Sequence, residues 1–112
     1  FLFAAPLALE LGKPLVPVRK QGKLPFTTHS VEYALEYGEA AVEVHIDAVV
    51  PGQQVLLVDD VLATGGTLAA SAQLIEKIGG HVAGLAVLVE LMDLHGRDIL
   101  NSYDLLSLVS YP

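Results

Sequence analysis

The chain is 112 residues long, which suits one modest domain with a single hydrophobic core. It is 53% hydrophobic and 17% charged, a composition that argues against disorder and suits a sheet covered on both faces. A formal net charge of −7 disfavours binding to nucleic acid, and the apolar stretches are too short to span a membrane. Because cysteine is absent, disulfides and thiolate metal sites are excluded, which is compatible with a cytoplasmic location.

The first half of the chain predicts a helix, a marginal strand and a hairpin. Dense apolar positions predict a helix within residues 1–11, ended by Gly12. Residues 14–19 alternate branched apolar residues with prolines, as expected of a short strand at a sheet margin that leads into a basic loop at 19–23. Residues 31–46 are typical of two extended arms joined by a turn, which would form a projecting hairpin.

The second half predicts alternating strands and helices. Residues 55–58 form a continuous apolar run, typical of a central parallel strand, and residues 68–78 have helical periodicity that ends at a Gly-Gly pair. Apolar runs at 82–90 and 103–109 predict two further strands, with a short helix between them around 95–100. Repeated strand and helix units favour an α/β fold with a parallel sheet.

The strongest functional signal follows the strand at 55–58. That strand delivers Asp59 and Asp60 to its carboxyl end, where ligands bind in open α/β sheets. A Gly-Gly loop then lets backbone N–H groups approach an anion, the Thr64 and Thr67 hydroxyls can add hydrogen bonds, and the next helix points its positive end there. Together they predict a monophosphate cradle beside two carboxylates, which suit ribose hydroxyls or hydrated Mg²⁺.

Other common site patterns fit poorly. The spacing matches neither Gly-x-x-x-x-Gly-Lys-[Ser/Thr] nor Gly-x-Gly-x-x-Gly, and the four histidines lack the spacing of a metal site. No Gly-x-Ser-x-Gly elbow or Ser-His-Asp order indicates a hydrolase. An ordinary glycine turn between a strand and a helix remains the plain alternative for the cradle itself.

The acidic pair followed by Ala-Thr-Gly-Gly-Thr resembles the phosphoribosyl pyrophosphate signature of type I phosphoribosyltransferases. With Phe-Leu-Phe at 1–3, Val-Arg-Lys-Gln-Gly-Lys-Leu-Pro at 18–25 and Leu-Glu-Tyr-Gly at 35–38, the chain resembles the adenine phosphoribosyltransferases over practically its whole length. This resemblance implies that residues 1–112 form an α/β core domain, with a parallel sheet flanked by helices and a projecting hairpin loop.

The resemblance also implies where phosphoribosyl pyrophosphate binds. Asp59 and Asp60 would hold the ribose. The 5′-phosphate would bind Ala63, Thr64, Gly65, Gly66 and Thr67. Pyrophosphate would be surrounded by Arg19, Lys20 and Lys23, which fits its several negative charges, although a basic loop alone is more typical of solvated surface.

Catalytic candidates follow from the same resemblance. The hairpin of similar enzymes folds over the active site and carries a catalytic acid, so Glu36 is the candidate acid/base and Tyr37 a candidate substrate contact beside it. Asp60 is the second catalytic candidate. Leu91 matches an aliphatic position that touches the base, but core packing explains Leu91 nearly as well, and Glu36 alone could equally be a solvent-facing carboxylate.

The implied reaction converts adenine and phosphoribosyl pyrophosphate to AMP and pyrophosphate, with Mg²⁺ held mainly by substrate and water, in a cytoplasmic homodimer. Two alternatives stay open: a regulatory protein that senses phosphoribosyl pyrophosphate, and a transferase for another purine. The resemblance also places a hood over the base and a substrate-binding arginine upstream of Phe1, so we expect a segment ahead of residue 1 to complete the base site.

Overall fold

The computed structural model describes residues 2–20, 28–35, 38–45 and 47–112, with side chains at 2–19, 44, 45 and 47–112. Two α-helices, two 3₁₀ helices and six strands make up this part of the chain, and no helix in it is long and apolar enough to cross a membrane. In chain order the elements are α1 (Ala4–Leu11), β1 (Arg19–Lys20), β2 (Thr28–Leu35), β3 (Gly38–His45), β4 (Gln54–Leu62), α2 (Gly66–Lys77), β5 (His81–Leu91), two 3₁₀ helices (Met92–Leu94 and Gly96–Leu100) and β6 (Leu105–Tyr111).

The parallel sheet has the order β4-β5-β6, and both of its strand pairs are parallel. The predicted α/β architecture is therefore confirmed. One stripe of α2, formed by Leu68, Ala72 and Ile75, packs on this sheet because positions three and four residues apart share a helix face. From the strands, Leu57 and Leu85 contribute to the core, and they are paired in the register between β4 and β5.

The other face of the parallel sheet carries apolar side chains that are exposed. Leu56, Leu106 and Leu108 are 47%, 60% and 67% exposed, since successive residues of a strand point to opposite faces. Within the described part of the chain, the expectation of a sheet covered on both faces therefore holds only for the face that α2 covers.

The antiparallel sheet has the order β1-β3-β2, and β2 and β3 form the predicted hairpin. Their register runs from Thr28 opposite His45 to Leu35 opposite Gly38, so the first arm begins before the predicted residue 31. The end of β3 packs on α2, where Val44 is buried with Ala70 and Leu74. Helix α2 therefore lies between the hairpin and the parallel sheet.

Two local predictions need correction. Residues 13–18 form no regular strand, because Pro14 and Pro17 lack the N–H that a sheet requires. Pairing with β3 covers Arg19, the last residue of the predicted strand, and Lys20, which was expected in the basic loop. Strand β4 continues to Leu62, so the acidic pair lies inside the strand and not after it. The short helix predicted around 95–100 is confirmed at Gly96–Leu100, where it has 3₁₀ geometry.

Candidate active site

The end of β4, the loop after it and the first turn of α2 surround a small cleft. Its lining residues are Asp59, Val61, Leu62, Ala63, Thr64, Gly65, Gly66, Thr67 and Leu68. Helix α2 begins at Gly66, and its N-cap residue, Gly65, has no side chain to cap the first turn. The partial positive charge of the helix N-terminus therefore favours an anion in this cleft.

Gly65 is required at the start of α2 for two reasons. Its φ of +88° lies in the left-handed region, which side chains with a Cβ rarely adopt. A Cβ at this position would also lie 2.7 Å from the Gly96 carbonyl oxygen and 3.0 Å from Cγ1 of Ile99. The loop is therefore packed directly on the second 3₁₀ helix.

The two neighbouring carboxylates of β4 have different environments. Asp59 is half-buried and Asp60 is exposed. The Asp60 backbone N–H donates to Oδ1 of Asp59 at 2.8 Å, and the Val61 N–H donates to Oδ1 of Asp60 at 2.8 Å. Burial raises the pKa of Asp59, whereas the hydrogen bond with the Asp59 side chain lowers the pKa of Asp60. Asp60 is thus the carboxylate with the lowered pKa, and it faces solvent beside the cleft.

Most of the predicted cradle is brought together. Asp59 and the five loop residues predicted for the 5′-phosphate all line the cleft, whereas Asp60 lies beside it without lining it. Leu91 is the last residue of β5, half-buried and paired with Tyr111 of β6.

The other candidates lie elsewhere or outside the description. Arg19 is exposed on β1, and the backbone of Lys20 follows it in that strand, which belongs to the antiparallel sheet. Lys23, Glu36 and Tyr37 fall outside the described residues. Within the described ranges, His, Asp and Glu side chains form no group of three that could hold a metal ion.

A family model, the phosphoribosyl transferase domain, matches residues 1–109. The chain belongs to this family. It is 57% identical over 111 residues to an adenine phosphoribosyltransferase of Kosmotoga olearia, covering 99% of the chain and 65% of that relative. The same fold is seen in an adenine phosphoribosyltransferase from Thermoanaerobacter pseudethanolicus, with a TM-score of 0.96 and 56% identity over 99% of the chain and 64% of that structure.

A more distant solved structure carries ligands. The adenine phosphoribosyltransferase of Trypanosoma brucei, in complex with AMP, pyrophosphate and ribose-5-phosphate, has a TM-score of 0.89 and 29% identity over 98% of this phosphoribosyltransferase chain and 52% of that structure. The chain spans slightly less than two thirds of the length of the curated relatives that it matches, the Kosmotoga olearia protein among them.

Next to the cleft, the phosphoribosyltransferase domain contains an ion pair between a buried carboxylate and an exposed arginine that the sequence did not predict. Arg97 donates from Nη2 to Oε1 of Glu90 at 2.8 Å and from Nε to Oε2 at 3.1 Å, and the Ser107 hydroxyl donates to Oε1 at 2.9 Å. Glu90 is only 7% exposed, and its hydrogen bonds from Arg97 lower the pKa of its carboxyl. In the sequence, the only sign of this pair is that the acid Glu90 ends the apolar run at 82–90. Its partner Arg97 could not be identified, because the contact depends on tertiary structure.

Replacing Glu90 with glutamine should reduce the free energy of unfolding at neutral pH by about 1–3 kcal/mol, since charge-assisted hydrogen bonds are lost. The pKa of Glu90 is lowered from its ordinary value of 4.5, so its stabilisation is full above that pH and is lost as pH falls through the pKa of the folded state. Urea unfolding of both proteins from neutral pH into acid should therefore show converging stabilities.

The exposed carboxyl of Glu10 provides the control, because Glu10→Gln should change stability by no more than about 0.5 kcal/mol. A difference between Glu90→Gln and the parent that stays constant down to acid pH would show that the charge of Glu90 contributes nothing.

Proposed function

We propose that the protein transfers the ribose 5-phosphate group of phosphoribosyl pyrophosphate to adenine, forming AMP and pyrophosphate. The observation that carries this proposal is the cleft at the end of β4, where an uncapped helix N-terminus and a left-handed glycine lie beside a charged, exposed carboxylate. An anion site alone explains the glycine loop, but a carboxylate next to it suits a phosphate that is attached to a sugar with hydroxyl groups.

Within this proposal, the cradle binds the 5′-phosphate and the acidic pair binds the ribose. The N–H groups at the start of α2 donate to the phosphate oxygens, with the exposed Thr64 and Thr67 side chains at the rim of the cleft. Asp60 accepts hydrogen bonds from ribose hydroxyls, and its negative charge stabilises the cationic character that the sugar develops as pyrophosphate departs. Asp59 lies deeper in the cleft and accepts the backbone N–H of Asp60, which orients the second carboxylate.

The leaving group needs positive charge, for which we propose Arg19, Lys20 and Lys23 together with Mg²⁺. The ion would be held mainly by substrate oxygens and water, and the exposed carboxylate of Asp60 would suit a contact through such a water. When bound, Mg²⁺ supplies positive charge to the pyrophosphate.

The base requires a proton donor or acceptor and an apolar contact. We assign the first role to Glu36, with Tyr37 beside it, and the second to Leu91 at the end of β5. Adenine is the proposed base because the Kosmotoga olearia relative is an adenine phosphoribosyltransferase and the Trypanosoma brucei structure contains AMP. From the same resemblance to adenine phosphoribosyltransferases, we also propose that the protein is a homodimer and that it acts in the cytoplasm.

The deciding experiment measures nucleotide formation by the natural gene product that contains residues 1–112. With phosphoribosyl pyrophosphate and Mg²⁺, we expect AMP from adenine and little product from guanine or hypoxanthine, with a reaction lacking phosphoribosyl pyrophosphate as the control. Faster turnover of another purine would assign the protein to a different transferase. Binding of phosphoribosyl pyrophosphate without any product would instead indicate a sensor.

A further inference from the structure

We propose that the Glu90–Arg97 ion pair is a positioning device for the phosphate cradle. It holds the 3₁₀ helix Gly96–Leu100 against the loop at 63–65, and this contact sets the direction of the N–H groups that face the anion. The identity of that anion as a sugar phosphate rests on the proposed function, whereas the positioning itself does not.

The loop and the 3₁₀ helix fit together through their backbones. A Cβ on Gly96 would clash with the Ala63 carbonyl oxygen and lie 3.0 Å from the Gly65 nitrogen, just as a Cβ on Gly65 would meet the Gly96 carbonyl. Gly96 is buried, and its nearest neighbours include backbone atoms of Ala63 and Gly65 together with the Leu62 side chain. Any displacement of Gly96 must therefore be transmitted to Gly65, because close-packed backbone atoms cannot absorb it.

The residues around Gly96 need an external constraint. His95, which precedes it, has a φ of +54° and is the only non-glycine residue with a positive φ in the described part of the chain. Arg97, which follows it, forms two parallel hydrogen bonds to Glu90 on β5 and a third, at 3.3 Å, to the Leu105 carbonyl oxygen on β6. Arg97 thus ties the start of the 3₁₀ helix to two strands of the sheet.

The two partners of this ion pair differ in burial. Glu90 is 7% exposed and the Arg97 side chain is 47% exposed, so the carboxylate is largely withdrawn from water, and the two-pronged guanidinium contact fixes both distance and angle. The far end of the same segment has separate anchors: Leu100 is 1% exposed in the core, and the Tyr103 hydroxyl donates to a carboxylate oxygen of Glu76 on α2. Those anchors hold the segment to the domain but do not act at Gly96.

The test compares three variants of the chain by NMR without ligand. Arg97→Lys keeps the charge and loses the paired hydrogen bonds, Glu90→Gln removes the charge, and Tyr103→Phe is the matched control that removes a carboxylate hydrogen bond at the far end. Backbone order parameters at 64–66 should fall from about 0.85 toward about 0.6 in the first two variants only, while those at 70–75 of α2 stay unchanged.

The same samples are then titrated with ribose 5-phosphate, for which we expect about 10-fold weaker binding in Arg97→Lys and Glu90→Gln. Unchanged order parameters at 64–66, or an equal fall in Tyr103→Phe, would overturn the positioning role. If the parent chain does not bind ribose 5-phosphate at all, the proposed function loses its support, while the order parameters still decide the inference.

Discussion

Replacing Gly65 with valine should weaken binding of ribose 5-phosphate by about 100-fold or more, because the loop can no longer keep its conformation. The φ of +88° is strained for a β-branched residue, and the added Cβ would lie 2.7 Å from the Gly96 carbonyl oxygen. If the loop shifts to relieve the backbone strain or the close contact, the N–H groups at the start of α2 move with it. Calorimetric titration of the variant and the parent with ribose 5-phosphate measures the loss.

The chain offers a close control for this substitution. Gly52 has a φ of +86°, nearly that of Gly65, but a Cβ there would meet nothing within 4 Å. Gly52→Val therefore imposes a similar backbone strain, about 1–3 kcal/mol, far from the cleft. It should lower the melting temperature and leave the affinity unchanged. Equal affinities of the Gly65 variant and the parent would remove this loop from the phosphate site.

In the natural gene product, Asp60→Asn should lower kcat by about 100-fold with a smaller effect on KM, because the substitution keeps the size of the side chain and removes its charge. The pKa of Asp60 is lowered by its hydrogen bond with Asp59, so the parent carries a full negative charge there at neutral pH. That charge matters most when the sugar becomes cationic in the transition state.

Steady-state kinetics with adenine and phosphoribosyl pyrophosphate test this expectation. Asp104→Asn is the control, because Asp104 is an exposed carboxylate that precedes β6 at the opposite end of the sheet. Circular dichroism establishes that both variants are folded. A kcat of Asp60→Asn equal to that of the control would exclude Asp60 from the chemistry.

The strand, loop and helix of the site were predictable because each has a local cause. An apolar run forms β4, a Gly-Gly pair permits the turn, and periodic apolar residues form α2. The exact end of β4 was not predictable, since pairing of Val61 and Leu62 with β5 overrides the low strand preference of the two aspartates.

The support beneath the cradle could not be predicted at all. Glu90, Arg97 and Ser107 meet only because β5 and β6 pair in one register, which places Val87 opposite Ser107 and brings the intervening 3₁₀ helix beneath the loop. No local pattern encodes that register. The roles assigned to Lys23, Glu36 and Tyr37 remain predictions from resemblance, since those residues lie outside the described part of the chain.

Helix α2 serves as a common wall for two layers: Leu68 and Ile75 fill the side toward the parallel sheet, and Leu74 fills the side toward the hairpin. Neither layer can keep its apolar side chains dry if this helix melts. The two sheets therefore gain and lose their structure together, and a ligand that binds at the N-terminus of α2 contributes its binding free energy to the folding cooperativity of both.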